Sequence, residues 1–139
     1  MHRRHFIGLL SGAALTLGGC SATKDVTIAE AGVAHFREQM RERKYAEIYA
    51  ESGDELKKAA TEQKLTTLLE AIERKLGAVK DSKQNGWNVN WNNGVTSVTI
   101  NYKTEFEKGT GEERFVFRIS GGKALLEGYH INSQEMMVN

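Results

Sequence analysis

The residues of this chain able to do chemistry are few and widely separated. Cys20 is the only cysteine among 139 residues. It closes a stretch that opens on basic Arg3-Arg4 and runs through apolar residues from Phe6 to Gly19. Tyr45 and Tyr49 stand one helical turn apart and would present two hydroxyls to a pocket. Trp87 and Trp91 share one face of a strand, placed to stack on a ligand. His130, near the end of the chain, is the candidate general base. Each has a plainer role beside the chemical one. The tyrosines suit core aromatics with a wet edge, and a lone histidine suits a surface or satisfied position, as does His35. For Trp87 and Trp91, packing against helices is the stronger expectation. The two histidines of the domain lie far apart and only one thiol exists, so no metal site is expected. No phosphate loop, dinucleotide fingerprint or nucleophile elbow occurs, and no cofactor is expected.

The first twenty residues have the layout of a secretory signal. Met1 to His5 form the positive region, Phe6 to Thr16 the apolar run, and Leu17-Gly18-Gly19-Cys20 a small-residue end. The run is short of the roughly 20 apolar residues of a spanning helix. Leu17-Gly18-Gly19-Cys20 resembles the bacterial lipobox, in which the cysteine thiol is acylated and the signal is cut just before it. That resemblance implies a cleaved signal over residues 1–19, lipidation at Cys20 and a membrane anchor. It also carries a sorting rule. Ser21, rather than Asp, follows the cysteine, which favours the periplasmic face of the outer membrane. Arg3-Arg4-His5-Phe6-Ile7 is similar to the twin-arginine export motif, with Arg3, Arg4 and Phe6 as its matching positions. A general secretory route with two incidental arginines is the alternative.

Removing nineteen of the 139 residues leaves 120, enough for one domain with one core. The signal takes Arg3 and Arg4 and no acid, so the formal net charge of +1 becomes −1. That balance argues against nucleic acid as a partner. With one cysteine there is no internal disulfide, and core burial must hold the fold. Residues 20–26 read as the lipidated cysteine and a short linker. Extended at about 3.5 Å per residue, Ser21 to Val26 would reach roughly 20 Å. Residues 27–132 read as a single domain and 133–139 as a tail.

Thr27-Ile28-Ala29-Glu30 has capping-box spacing, with Val26 as a hydrophobic staple. Ala29, Val33, Phe36 and Met40 follow as one apolar helical stripe, and Arg41, Arg43 and Lys44 suit the helix end. Tyr45 to Ala50 forms a short helical piece stopped by Gly53, and Ser52-Gly53-Asp54-Glu55 repeats the capping spacing. Thr61 caps a helix whose apolar face is Leu65, Leu68, Leu69, Ile72 and Leu76, closed by Gly77 with positive φ.

After Gly77 the period changes to two. Trp87, Val89 and Trp91 alternate up to Asn93-Gly94, a signal for a two-residue hairpin turn. Trp91 is then expected opposite Thr96, Val89 opposite Val98, and Trp87 opposite Ile100. A four-residue loop, Lys108 to Gly111, would set Tyr102 against Phe117 and Ile100 against Ile119. Gly121-Gly122 turns the chain again. A two-residue loop there pairs Leu126 with Phe117. A three-residue bulged loop, which buries more apolar surface and is preferred, turns Leu125, Tyr129 and Ile131 inward.

Helices followed by a four-strand antiparallel meander predict an α+β fold with the helices on one face. Over roughly residues 26–132 the order resembles the nuclear-transport-factor-2-like, or cystatin-like, cone fold. The features that carry it are the first helix running into Lys44-Tyr45-Ala46-Glu47-Ile48-Tyr49, the leucine-striped helix ending on Lys75-Leu76-Gly77, and the meander. The resemblance implies a curved sheet around the longest helix and a pocket at the open end, but carries no family role onto named positions; Tyr45, Tyr49, Trp87, Trp91 and His130 are the candidate lining on their own chemistry. The expected function is a membrane-anchored binding or interaction domain for a periplasmic protein or a small apolar ligand. A small hydrolase or isomerase using Tyr45, Tyr49 or His130 is the alternative.

Overall fold

A computed structural model describes residues 18–138; Arg3, Arg4 and Phe6 lie outside the described residues. Helix α1 spans Gly18–Arg41, α2 Tyr45–Glu51, α3 Asp54–Ala59 and α4 Glu62–Leu76. Strands β1 (Val79–Asn92), β2 (Val95–Phe106), β3 (Gly109–Ser120) and β4 (Lys123–Asn132) follow, then a terminal turn of helix, α5 (Gln134–Met137). The strands form one antiparallel sheet in the order β1-β2-β3-β4, and the fold is α+β.

The expected apolar stripes make the core. Ala29, Val33 and Phe36 of α1 and Leu65, Leu69, Ile72 and Leu76 of α4 are buried with Val98, Ile100, Phe115 and Phe117 of the sheet. At Gly32 an added Cβ would come within 2.9 Å of Ala124 Cβ and Phe117 Cε1, so a bare backbone lets α1 approach β3 and β4 closely. Thr61 caps α4 as expected, its hydroxyl accepting the Lys64 N–H at 3.2 Å, and Gly77 ends the helix at φ 78°.

Three helical expectations need correction. Residues 21–26 are helix rather than extended linker, so α1 starts well before Thr27. Thr27 Oγ1 donates back to the Thr23 carbonyl at 3.0 Å instead of capping. A buried Val26 explains the extension: its side chain adds to the stripe one turn before Ala29. At α3 the cap position is Gly53, not Ser52, whose hydroxyl donates to Ile48 O at 2.6 Å. The capping acceptor comes from β4, where Glu127 Oε2 takes the N–H groups of Glu55 and Leu56 at 2.7 and 3.2 Å. The tail is also ordered, because Lys75 Nζ donates to the carbonyls of Met136 and Val138, both at 3.1 Å.

The first hairpin has the expected register: Trp87 pairs with Ile100, Val89 with Val98 and Trp91 with Thr96. Beyond Trp87 a bulge at Asn85-Gly86, with Gly86 at φ 109°, shifts the register by one residue. It switches the inward set of β1 from Ser82 to Trp87. The second hairpin differs. Its loop is the two residues Glu107-Lys108, so Tyr102 faces Glu113 and Ile100 faces Phe115. The face is the one expected, but each β2 residue meets a partner four positions earlier. In the third hairpin both registers operate in succession. The loop is the two residues Gly121-Gly122 and Leu126 pairs with Phe117; an extra residue, Glu127, then bulges out so that Tyr129 meets Phe115 and Ile131 meets Glu113. The bulge lies in the strand rather than the loop. It keeps Leu126 and Tyr129 both inward, which buries more than either uniform register.

Candidate functional site: a buried charge cluster beside an interior cavity

In β3 the positions that alternate inward are Gly111, Glu113, Phe115, Phe117 and Ile119, which carries a carboxylate into the core. In α1, Val33, Phe36, Arg37 and Met40 follow at i, i+3, i+4 and i+7, so Arg37 occupies an apolar-stripe position. The two meet. Arg37 Nη2 lies 2.9 Å from Glu113 Oε1, with side-chain exposures of 13% and 1%. A buried pair of this kind persists only when its remaining polar atoms are satisfied.

They are satisfied by the sheet. Glu113 Oε1 also accepts from Thr104 Oγ1 at 2.5 Å, and Oε2 accepts from the Tyr129 hydroxyl at 2.7 Å. Arg37 Nη2 donates to Ser82 Oγ at 2.8 Å. Ser82 and Thr104 hydroxyls lie 3.0 Å apart. Thr104 has one hydroxyl proton, already directed to Glu113, so Ser82 is the donor between them. The Arg37 guanidinium also lies over the rings of Tyr102 and Phe115, at 5.5 and 5.7 Å. Tyr129 packs on Phe115 and Phe36, with ring centroids 5.0 Å apart in each case. Burial first, and then the charge of Glu113, raise the Tyr129 phenol well above its ordinary pKa, so it acts as a fixed donor.

The cluster forms part of the wall of a cavity of about 360 Å³ between α1, α4 and the start of β1. Phe36, Met40, Ile72, Val79 and Phe106 supply its apolar lining; Arg37, Arg41, Glu73, Glu113 and Tyr129 supply the polar groups. An apolar hollow with a few convergent polar groups has the character of a small-molecule site. Glu73 is engaged from outside, by Arg43 Nε at 2.8 Å and by the Tyr45 hydroxyl. Burial, followed by that hydrogen bond to Glu73, pushes the Tyr45 phenol up to about 12.

The residues singled out from sequence do not converge on this cavity. Tyr45 borders a surface recess beside it with Arg43 and Lys108. Tyr49 donates its hydroxyl to the Ala60 carbonyl at 3.1 Å, tying α2 to the loop before α4. His130 is exposed and paired in register with Arg114, on the sheet face opposite Phe115 and Tyr129. Trp87 and Trp91 are 50% and 57% exposed, which corrects the expectation that they pack under the helices. They lie on the core face, but β1 is an edge strand and α1 packs mainly over β2, β3 and β4. An acid-base set built from Tyr45, Tyr49 and His130 therefore has no common pocket. The backbone of Cys20 falls within α1. Among the described residues, no three His, Cys, Asp or Glu side chains group as a metal site, and no helix is long and apolar enough to cross a membrane.

The architecture is thus a helix-covered antiparallel sheet enclosing a cavity with a buried arginine–glutamate pair on its wall. The chain belongs to a family of proteins of unknown function (DUF3887), matched over residues 33–120. That span holds Arg37, Ser82, Thr104 and Glu113 and ends before Tyr129. No curated protein and no solved structure matches the chain.

Proposed function

We propose that the domain is a small-molecule-binding module, exported and held at the membrane surface by a lipid on Cys20. The cavity carries this reading: it combines partial enclosure, apolar lining and a polar wall whose two carboxylates are both paired. The bracing favours binding over catalysis, because Glu113 already accepts three hydrogen bonds and Tyr129 donates its proton to it. Neither is placed as a free base. The anchor rests on the lipobox-like Leu17-Gly18-Gly19-Cys20, and the outer membrane's periplasmic face on Ser21. The likeness of helix and strand order to the nuclear-transport-factor-2-like cone agrees with a pocket between helix and sheet. With Cys20 in α1, about 9 Å of helix separates it from Val26, the first buried apolar residue among those described. The domain would then stand on a short stiff stem rather than a flexible tether.

Among the described residues every buried apolar side chain lies between Val26 and Tyr129, so protein beginning at Ser21 keeps that core. Native mass spectrometry of that protein after incubation with envelope extract is expected to show a retained small molecule. Ala78 lines the cavity and is exposed, so Ala78→Phe fills the mouth without disturbing the core; this variant should retain nothing. Equal retention by both proteins would place binding elsewhere, and retention by neither would remove the reading. For the anchor, Cys20→Ala should abolish incorporation of labelled palmitate, and continued labelling would show that the thiol is not the lipid site.

A further inference from the structure

We infer that the cavity takes an amphipathic organic anion: an aliphatic body of modest length ending in one carboxylate or similar acidic group. The inference rests on the cavity being a ligand site and adds the class of ligand. A volume of about 360 Å³ holds roughly a dozen groups of water size. The ligand is therefore small, and the lining requires most of it to be apolar.

The sign of its charge follows from which charges the wall leaves unanswered. Four charged residues line the cavity: Arg37, Arg41, Glu73 and Glu113. Arg37 and Glu113 neutralise each other at 2.9 Å. Glu73 is neutralised by Arg43, which stands outside the cavity. Arg41 is left, with no ion-pair partner among the described residues. It is exposed at the C-terminal end of α1, beside Met40 of the apolar lining. An apolar chain inserted along Met40, Phe36 and Ile72 would bring its head group to this guanidinium. A cationic head would meet Arg41 with no free carboxylate to receive it, since both carboxylates of the wall are already paired.

Isothermal titration of the protein beginning at Ser21 with octanoate, 1-octanol and octylamine tests this, because the three share one chain and differ in the head group. Octanoate should bind about fivefold more tightly than octanol, the range of one partly exposed charge pair, and octylamine more weakly than octanol. Arg41→Gln, a substitution at an exposed position, should bring octanoate down to the affinity of octanol while leaving octanol unchanged. Octanol binding as tightly as octanoate, or an octanoate advantage that survives Arg41→Gln, would overturn the anionic assignment and leave the cavity as a site for neutral ligands. Binding of no probe by the wild type would overturn the ligand site itself.

Discussion

The two ends of the sheet carry the same alternating pattern with opposite outcomes. At the β2–β3 end, inward positions hold Ser82, Thr104 and Glu113, polar groups that are drawn into the interior under α1 and α4. At the β1–β2 end, inward positions hold Trp87 and Trp91, two large apolar side chains left half or more uncovered. The pleat decides which face a side chain occupies. Whether that face is buried depends on a second layer lying over it. The helices cover the polar end of the sheet and leave the tryptophan edge bare. The core is thus built from phenylalanines and aliphatic residues with a satisfied polar cluster set into it, while the two tryptophans contribute little to it.

Breaking the polar end should have the largest effect. Glu113→Ala removes the partner of a buried guanidinium and leaves the Tyr129 hydroxyl without its acceptor. It should cost about 3–5 kcal/mol in urea unfolding. The double variant Arg37→Met/Glu113→Leu should recover most of that loss, because no uncompensated charge remains. A double variant as unstable as the single would show that packing, not charge, governs this end.

The tyrosines sharpen the comparison through pH. Tyr129 and Tyr45 both have folded-state pKa values above the unfolded value, Tyr45 at about 12. The folded state therefore holds these protons more tightly than the unfolded chain. Their contribution is fully present below the ordinary tyrosine pKa of about 10 and is lost as pH rises through the folded values. Denaturation midpoints should be insensitive to these groups up to pH 9 or so and fall at higher pH, with the loss for Tyr45 complete beyond about 12. Phe substitution of both tyrosines should flatten the decline. An unchanged alkaline slope in that variant would assign it to other groups.

Smaller effects follow at the helix cap and the bare edge. Thr61→Ala should cost about 1 kcal/mol by removing the acceptor for the Lys64 N–H, and Thr61→Ser should restore it. Trp91→Ala should change stability by no more than about 0.5 kcal/mol, as for a surface position. A loss of several kcal/mol there would mean that the tryptophan edge is covered in solution.

Much of the fold could be read from residue order because local signals agreed: the stripes of α1 and α4, the Thr61 cap and the Asn93-Gly94 turn each pointed one way. At the second hairpin Gly109 and Gly111 suggest a loop, whereas they sit in β3 beside a two-residue turn. That shift hid the site. With Tyr102 set against Phe117, Glu113 would face Phe106 on the same inward face instead of lying beside Tyr102, one pair along from Thr104. The usable signal was Glu113 falling two residues before Phe115 and four before Phe117, with Arg37 on the stripe of Val33 and Met40. Each alone is an ordinary charged residue; paired, they are a buried ion pair. The bulge at Glu127 was not legible, since its cause is the cap that Glu127 gives α3 from across the molecule. Nor was the exposure of Trp87 and Trp91, which depends on the path of α1 over the sheet.

The central claim, that the cavity beside the Arg37–Glu113 pair is a ligand site, is tested most directly by methyl NMR of the protein beginning at Ser21 during titration with octanoate. Met40 and Ile72 line the cavity, whereas Met137 is 74% exposed on α5 and Ile28 lies near the β3–β4 turn. The methyl signals of Met40 and Ile72 should shift saturably while those of Met137 and Ile28 stay fixed. Saturable shifts at Met137 or Ile28 with Met40 and Ile72 unmoved would contradict the account.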